Sequence, residues 1–222
     1  MIICAMSDLH GHMPPVPECD LLIVAGDICP DLFGGVRAKK DPLRQTMWFE
    51  DVWLRYISKQ PAKRVLVTWG NHDFCGEHML PRKRVSYGHV DVIVDDLIEV
   101  EGKKIWLTPW SNQFMDWAFM KEHDQLGETY AQIPDGVDIL VSHQPPAGCG
   151  DLYTEWPSRM PRRIGSEELR YHVERVKPKI VVCGHLHKGY GTYEVVDSKI
   201  YNVSVVNERY ELVNPPTVIE VD

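Results

Sequence analysis

Eight residues of metal-binding type fall in five short blocks: Asp8 and His10, Asp27, Asn71 with His72, His143, and His185 with His187. Leaving His72 aside, they offer two carboxylates, one amide oxygen and four imidazoles. One mononuclear site cannot use so many ligands. Two divalent cations about 3.5–4 Å apart can, provided one carboxylate bridges them, and such a pair is suited to in-line displacement at phosphorus. Hard oxygen mixed with imidazole suits Mn, Fe, Zn, Co or Ni better than Mg alone or Ca.

Residues so far apart in sequence need a fold that gathers them. Short apolar, β-branched runs read as buried strands: Ile2 to Ala5, Leu21 to Ala25, Val65 to Thr68, Val92 to Val94, Ile105 to Leu107, Ile139 to Val141 and Ile180 to Cys183. Five of the seven are followed at once by one of the blocks. In open α/β sheets the carboxyl ends of strands converge on one crevice, which would bring the blocks together. A spacing of two in an extended segment would also put Asp8 and His10, or His185 and His187, on one side.

Between the runs lie helical patterns. Pro42 to Ile57 carries a broad stripe of Trp48, Phe49, Val52, Trp53, Tyr56 and Ile57, which reads as core packing. Ser166 is placed to cap a helix that buries Leu169, Val173 and Val176 and stops before Pro178. Tyr190 to Asp222 alternates apolar and polar residues and is expected to form antiparallel hairpins. Helices flanking mixed sheets follow.

The chain has 222 residues, 24 Lys plus Arg against 32 Asp plus Glu, and 44% hydrophobic residues. It reads as a single domain over 1–222 that needs no metal or disulfide to fold. The net charge of −8 disfavours a stable nucleic-acid partner or an anionic membrane. Apolar stretches fall far short of the ~20 residues of a spanning helix, and no signal segment is visible. Six scattered cysteines without a CxxC pair read as reduced and structural, which fits a cytoplasmic location. The basic runs Arg37 to Lys40, Arg82 to Arg84 and Arg162 to Arg163 read as solvated surface.

The ordered blocks Asp8-Leu9-His10, Gly26-Asp27, Gly70-Asn71-His72-Asp73, Ser142-His143 and Gly184-His185-Leu186-His187 resemble the five motifs of the calcineurin-like metallophosphoesterases. A narrower resemblance runs through Ile105 to Trp110, Asp116 to Phe119, His143 to Pro146, Gly184 to Gly191 and Val213 to Pro216. These look like the small fetal-brain-239-type proteins, near the class III cyclic-nucleotide phosphodiesterases. The resemblance implies an α/β fold: a four-layer α-β-β-α sandwich of two mixed sheets, with a dinuclear site at the strand ends. It implies that Asp8, His10, Asp27 and His187 hold one ion and that Asp27, Asn71, His143 and His185 hold the other, Mn²⁺ being the first choice. Asp27 would bridge.

A hydroxide bridging the metals would then attack phosphorus, and His72 would protonate the leaving group. Asp31 is a possible orienting partner for His72, and Asp73 a second. His12 and Asn112 are candidate substrate contacts, and Trp69, Trp110 and Trp117 candidates for a wall that stacks a base, with Trp110 preferred. His78, His89, His123 and His172 read as structural. The expected activity is hydrolysis of small phosphodiesters or nucleotides, including cyclic nucleotides. The alternatives are a phosphomonoesterase acting on phosphoproteins or dinucleoside polyphosphates, disfavoured because no Arg sits within or beside the five motifs, and a catalytically silent scaffold.

Overall fold

Apolar strands that pack on both faces lose the usual alternation, and that is how this chain is built. The computed structural model describes residues 1–33, 35–37, 41–78, 82–154 and 160–221. In it, Ile3 and Ala5 of strand Ile2–Met6 face one apolar layer while Cys4 and Met6 face another. Strand Ile139–Ser142 does the same, with Ile139 and Val141 on one side and Leu140 on the other. Each of the seven apolar runs coincides with or overlaps a strand.

The strands form two six-stranded mixed sheets. In the first the order is Thr217–Glu220, Ile2–Met6, Cys19–Ala25, Ala62–Thr68, Val90–Ile93 and Arg84–Tyr87. In the second it is Gly191–Val195, Ser198–Asn202, Ile180–Cys183, Ile139–Ser142, Lys103–Thr108 and Asp96–Val100. In both, the four central strands are parallel and the edges antiparallel. One apolar layer lies between the sheets; the helices over 42–57 cover the outer face of the first, and helices His123–Tyr130 and Glu167–Val176 that of the second. The result is a four-layer sandwich.

The helix expected over 42–57 is continuous but contains a π turn at Phe49–Trp53. Its buried face is Gln45, Phe49, Trp53 and Ile57, four apart, whereas Val52 is 40% exposed and leaves the expected stripe. On an ideal α-helix each four-residue step overshoots a full turn by about 40°. The wider π turn takes that drift back. Ser166 Oγ accepts from Leu169 N at 3.1 Å to cap Glu167–Val176, and left-handed Lys177 ends it.

The C-terminal region departs from expectation. It forms one hairpin, Gly191–Val195 with Ser198–Asn202, and then Thr217–Glu220 crosses to pair with Ile2–Met6 in the other sheet. Val218, expected inward, is 51% exposed. Asp222 and Ala38 to Lys40 lie outside the described residues. All six cysteines are free and buried. Among the described residues no helix is long and apolar enough to cross a membrane.

Candidate active site

At the carboxyl ends of the central strands the backbone leaves the extended region at the very residues that carry ligand atoms. Asp8 (φ 56°), His10 (φ 42°), Asp27 (φ 53°) and His185 (φ 66°) are all left-handed, a conformation that costs non-glycine residues energy. These left-handed turns gather the donors, and not the extended i, i+2 spacing expected from the sequence. The adjoining glycines let the loops touch. A Cβ at Gly70 would lie 2.2 Å from Asp27 Oδ1, and one at Gly184 would lie 2.4 Å from Asp8 Oδ2.

Among the described residues three groups of potential ligands result: Asp8, His10 and His187; Asp27, His143 and His185; and His10, Asp31 and His72, the ligand atoms of each lying within 4.8 Å of one another. His143 Nε2 is 3.3 Å from Asp27 Oδ2 and 3.0 Å from Asn71 Oδ1, which joins Asn71 to the second group. His187 Nε2 is 3.6 Å from Asp8 Oδ1. His10 Nε2, 3.8 Å from Asp27 Oδ2, links the first group to the second. Asp27 thus belongs to the second group and faces His10 of the first.

The rings are oriented for ligation. His143 Nδ1 donates to Ala25 O at 2.8 Å and His187 Nδ1 to Asn207 O at 3.0 Å. A carbonyl only accepts, so both Nδ1 atoms carry hydrogen and both Nε2 atoms face the carboxylates, the position from which a ligating histidine, once deprotonated there, would bind a metal. Neither buried ring nitrogen of His10 makes a hydrogen bond among the described residues. Cations meeting these donors at ~2.0–2.2 Å would satisfy them. The donor set therefore fits a divalent metal.

Electrostatics agree. Burial favours the neutral form of Asp27, but His143 and His72 outweigh it and hold the carboxyl well below its usual range. Asp8 is likewise held low, against burial, by His187. Burial and then His143 push His185 down to about 3, leaving it a neutral donor. For His143, burial is overcome by Asp27 and the pKa rises to about 9.

His72 stands at the edge of this cluster. Its backbone N–H donates to Asp27 Oδ1 at 2.8 Å, and its Nδ1 meets Asp31 Oδ1. Asp31 Oδ2 also lies 3.4 Å from His10 Nδ1. Burial lowers the His72 pKa, but Asp27 and Asp31 together lift it above the ordinary value. Asp73 faces elsewhere: it accepts from Ile28, Cys29 and Gly70 N–H, each at 2.9 Å, and ties the Asp27 and Asn71 loops together. Gln45 braces the same loop by donating to His72 O at 2.8 Å and accepting from Cys75 N.

Beside His72 opens a cavity of about 330 Å³ lined by Asp31, Leu32, Arg37, His72, Phe74, Trp117 and Tyr210. Of the three tryptophans, Trp117 is the one at this wall, stacked on His72 with ring centroids 4.2 Å apart. Trp69 is fully buried in the helix-side core. Trp110, the preferred candidate, donates Nε1–H to Asp95 at 2.6 Å and lies under Lys121 Nζ at 3.7 Å, away from the cavity lining. Asn112 Nδ2 reaches the Ile164 and Gly165 carbonyls at 3.4 Å. His12 Nε2 donates to Tyr210 O at 2.9 Å, so its ring holds a loop.

Tyr210 was not visible from sequence. Its ring meets His10 at 4.6 Å and His187 at 5.4 Å, closing the cluster from above. Burial, then Asp31, push its hydroxyl up to about 12, so it is a neutral phenol. Arg37 corrects the expectation that no arginine stands beside the motifs. It follows Asp27 in sequence and is carried back to the cavity by the hairpin of Leu32–Phe33 with Val36–Arg37.

Residues 1–189 match the family model described as calcineurin-like phosphoesterase. The human metallophosphoesterase domain-containing protein 1 is 30% identical over 242 aligned positions, covering 97% of this chain and 69% of that protein. A UPF0046 protein of Caenorhabditis elegans is 37% identical over 129 positions, 57% of this chain and 31% of that protein. One solved structure, 13% identical, covers 90% of this chain and 89% of its own with a TM-score of 0.58. That last likeness shows the fold alone.

Proposed function

The chain belongs to the calcineurin-like phosphoesterase family, and from that premise we propose that it is a metal-dependent phosphodiesterase acting on small phosphodiesters. The observation that carries the reading is the cavity beside His72, whose aromatic walls Trp117, Phe74 and Tyr210 can hold the organic group that leaves. The diester preference is supported by the resemblance of Ile105 to Trp110, Asp116 to Phe119 and Val213 to Pro216 to the small fetal-brain-239-type proteins. A net charge of −8 gives poor steering toward long polyanions, so the partner is a small molecule.

In this reading Asp8, His10, Asp27 and His187 hold one divalent cation and Asp27, Asn71, His143 and His185 a second, Mn²⁺ being the favoured metal. Bound there, the cations supply an acidified water and neutralise charge at the phosphate. The chain's own residues do the rest. His72 donates a proton from Nε2 to the leaving oxygen, a role worth ~10²–10⁴-fold in rate. Asp31 at Nδ1 fixes the tautomer that this requires. Asp73 and Gln45 act at a distance from the chemistry, holding the loop on which His72 and Asn71 sit.

A phosphomonoesterase is the second reading, favoured by Arg37 at the cavity, since arginine clamps a terminal phosphate dianion. The deciding experiment compares bis-p-nitrophenyl phosphate with p-nitrophenyl phosphate on metal-free protein reconstituted with Mn²⁺. A strong diester preference is expected. Monoester preference overturns the proposal in favour of the phosphatase, and no turnover with any of Mn, Fe, Zn, Co or Ni favours a silent scaffold.

A further inference from the structure

His72 forms one wall of the aromatic cavity while its backbone is tied to Asp27. A group that protonates a leaving oxygen must lie within hydrogen-bond reach of it. The cavity walled by His72 is therefore where the leaving group departs, and the ligand cluster on the other side of His72 is where the phosphate sits. At about 330 Å³ it lies at the small end of ligand pockets, room for one ring system and a substituent.

Its lining has two chemistries. Trp117, Phe74 and Tyr210 present ring faces and edges, with Trp117 held in place by stacking on His72 and by Phe74 at 5.9 Å. Arg37 adds a cation. The lining carboxylate, Asp31, is engaged by His72 and His10, and among the described residues no ion pair joins it to Arg37. The guanidinium is exposed and uncommitted to any described carboxylate.

Resting on the phosphodiesterase reading, we infer that Trp117, Phe74, Tyr210 and Arg37 form a leaving-group subsite for an aromatic group that carries its own anionic substituent. The three aromatic side chains can stack the ring, and the guanidinium can hold its anionic substituent by charge-assisted hydrogen bonds. A simple cyclic ester, whose leaving oxygen stays on the product and brings no second anion, leaves Arg37 unused. In the reaction a water oxygen bonds to phosphorus as the bond to the leaving oxygen breaks. The leaving oxygen takes its proton from His72, which regains one from solvent, into which the attacking water releases its own.

The test offers the Mn²⁺-loaded protein two aryl diesters as substrates, methyl 4-nitrophenyl phosphate and methyl 3-carboxy-4-nitrophenyl phosphate, in which the aryl oxide is the leaving group. The wild-type protein is expected to prefer the carboxylated ester by about tenfold or more in kcat/KM. Arg37→Gln is expected to bring that preference to within about twofold, and Trp117→Ala to raise KM for both esters about tenfold. No wild-type preference, or a preference that survives Arg37→Gln, overturns the inference.

A second measurement is independent of turnover. Equilibrium dialysis of 4-nitrophenol and 3-carboxy-4-nitrophenol against metal-free protein at pH 6 reads the subsite alone. Tighter binding of the carboxylated phenol, lost in Arg37→Gln, supports the subsite even if neither ester is hydrolysed, in which case it is the phosphodiesterase reading that fails. Equal binding of the two phenols in the wild type counts against the subsite whatever the enzyme hydrolyses.

Discussion

At the floor of the site, Asp8, Asp27, Asn71 and His143 are no more than 3% exposed, and each is fixed by contacts from other loops. At its mouth, Arg37 and Tyr210 are exposed, one carried by a two-residue strand pair and the other held through its backbone by His12. The floor is over-determined and the mouth is not. That division matches two tasks. Metal ligands must be held in one geometry even before a metal arrives, whereas a subsite that admits and releases an organic group cannot be walled in by the core.

The division can be broken most directly at the floor. Asp27→Ala is expected to abolish turnover of every substrate and to cut metal content from two ions to one or none by elemental analysis. Retained turnover would end the two-metal scheme. His72→Ala, one step toward the mouth, is expected to lose ~10²–10⁴-fold in kcat while keeping both metals. If its metal content fell with its activity, His72 would belong to the floor as a ligand.

Stability sharpens the same contrast. Saturating Mn²⁺ at ~100 times its Kd adds about 2.7 kcal/mol per site, which for a chain of this size raises Tm by about 5–10 °C. Asp27→Ala is expected to erase that rise, and Arg37→Gln to leave it intact. The smallest effect belongs to Tyr210→Phe, which removes only a neutral hydroxyl at the mouth and is expected to change kcat/KM by about tenfold or less. A loss of metal in that variant would move Tyr210 from the mouth to the floor.

The same boundary separates what could be read in the sequence from what could not. The floor was legible because its residues are rare metal-ligand types, each placed directly after an apolar run long enough to be a buried strand. The tethering of loops, such as Asp73 reaching back to Ile28 and Cys29, was not legible, because nothing in Gly70-Asn71-His72-Asp73 says which way its one carboxylate points. The mouth was harder still. Tyr210 sits in a turn between Asn207 and Glu211 and reaches the cluster only because the turn is fastened 198 positions away, at His12. Edge strands such as Arg84–Tyr87 and Asp96–Val100 were invisible for a related reason. They are short, and charged residues on their solvent side dilute the apolar pattern.

Asp8 receives the backbone N–H of His185, 177 positions later in the chain, and Ser7 bridges to the stretch around Val203 and Val205. Synthesis at ~5–20 residues per second separates those two segments by roughly 10–35 s. During that interval the earliest ligand loop is without the imidazoles that complete either group. Either ligand group is therefore completed only once residues 185–187 have been made, long after the carboxylates of Asp8 and Asp27.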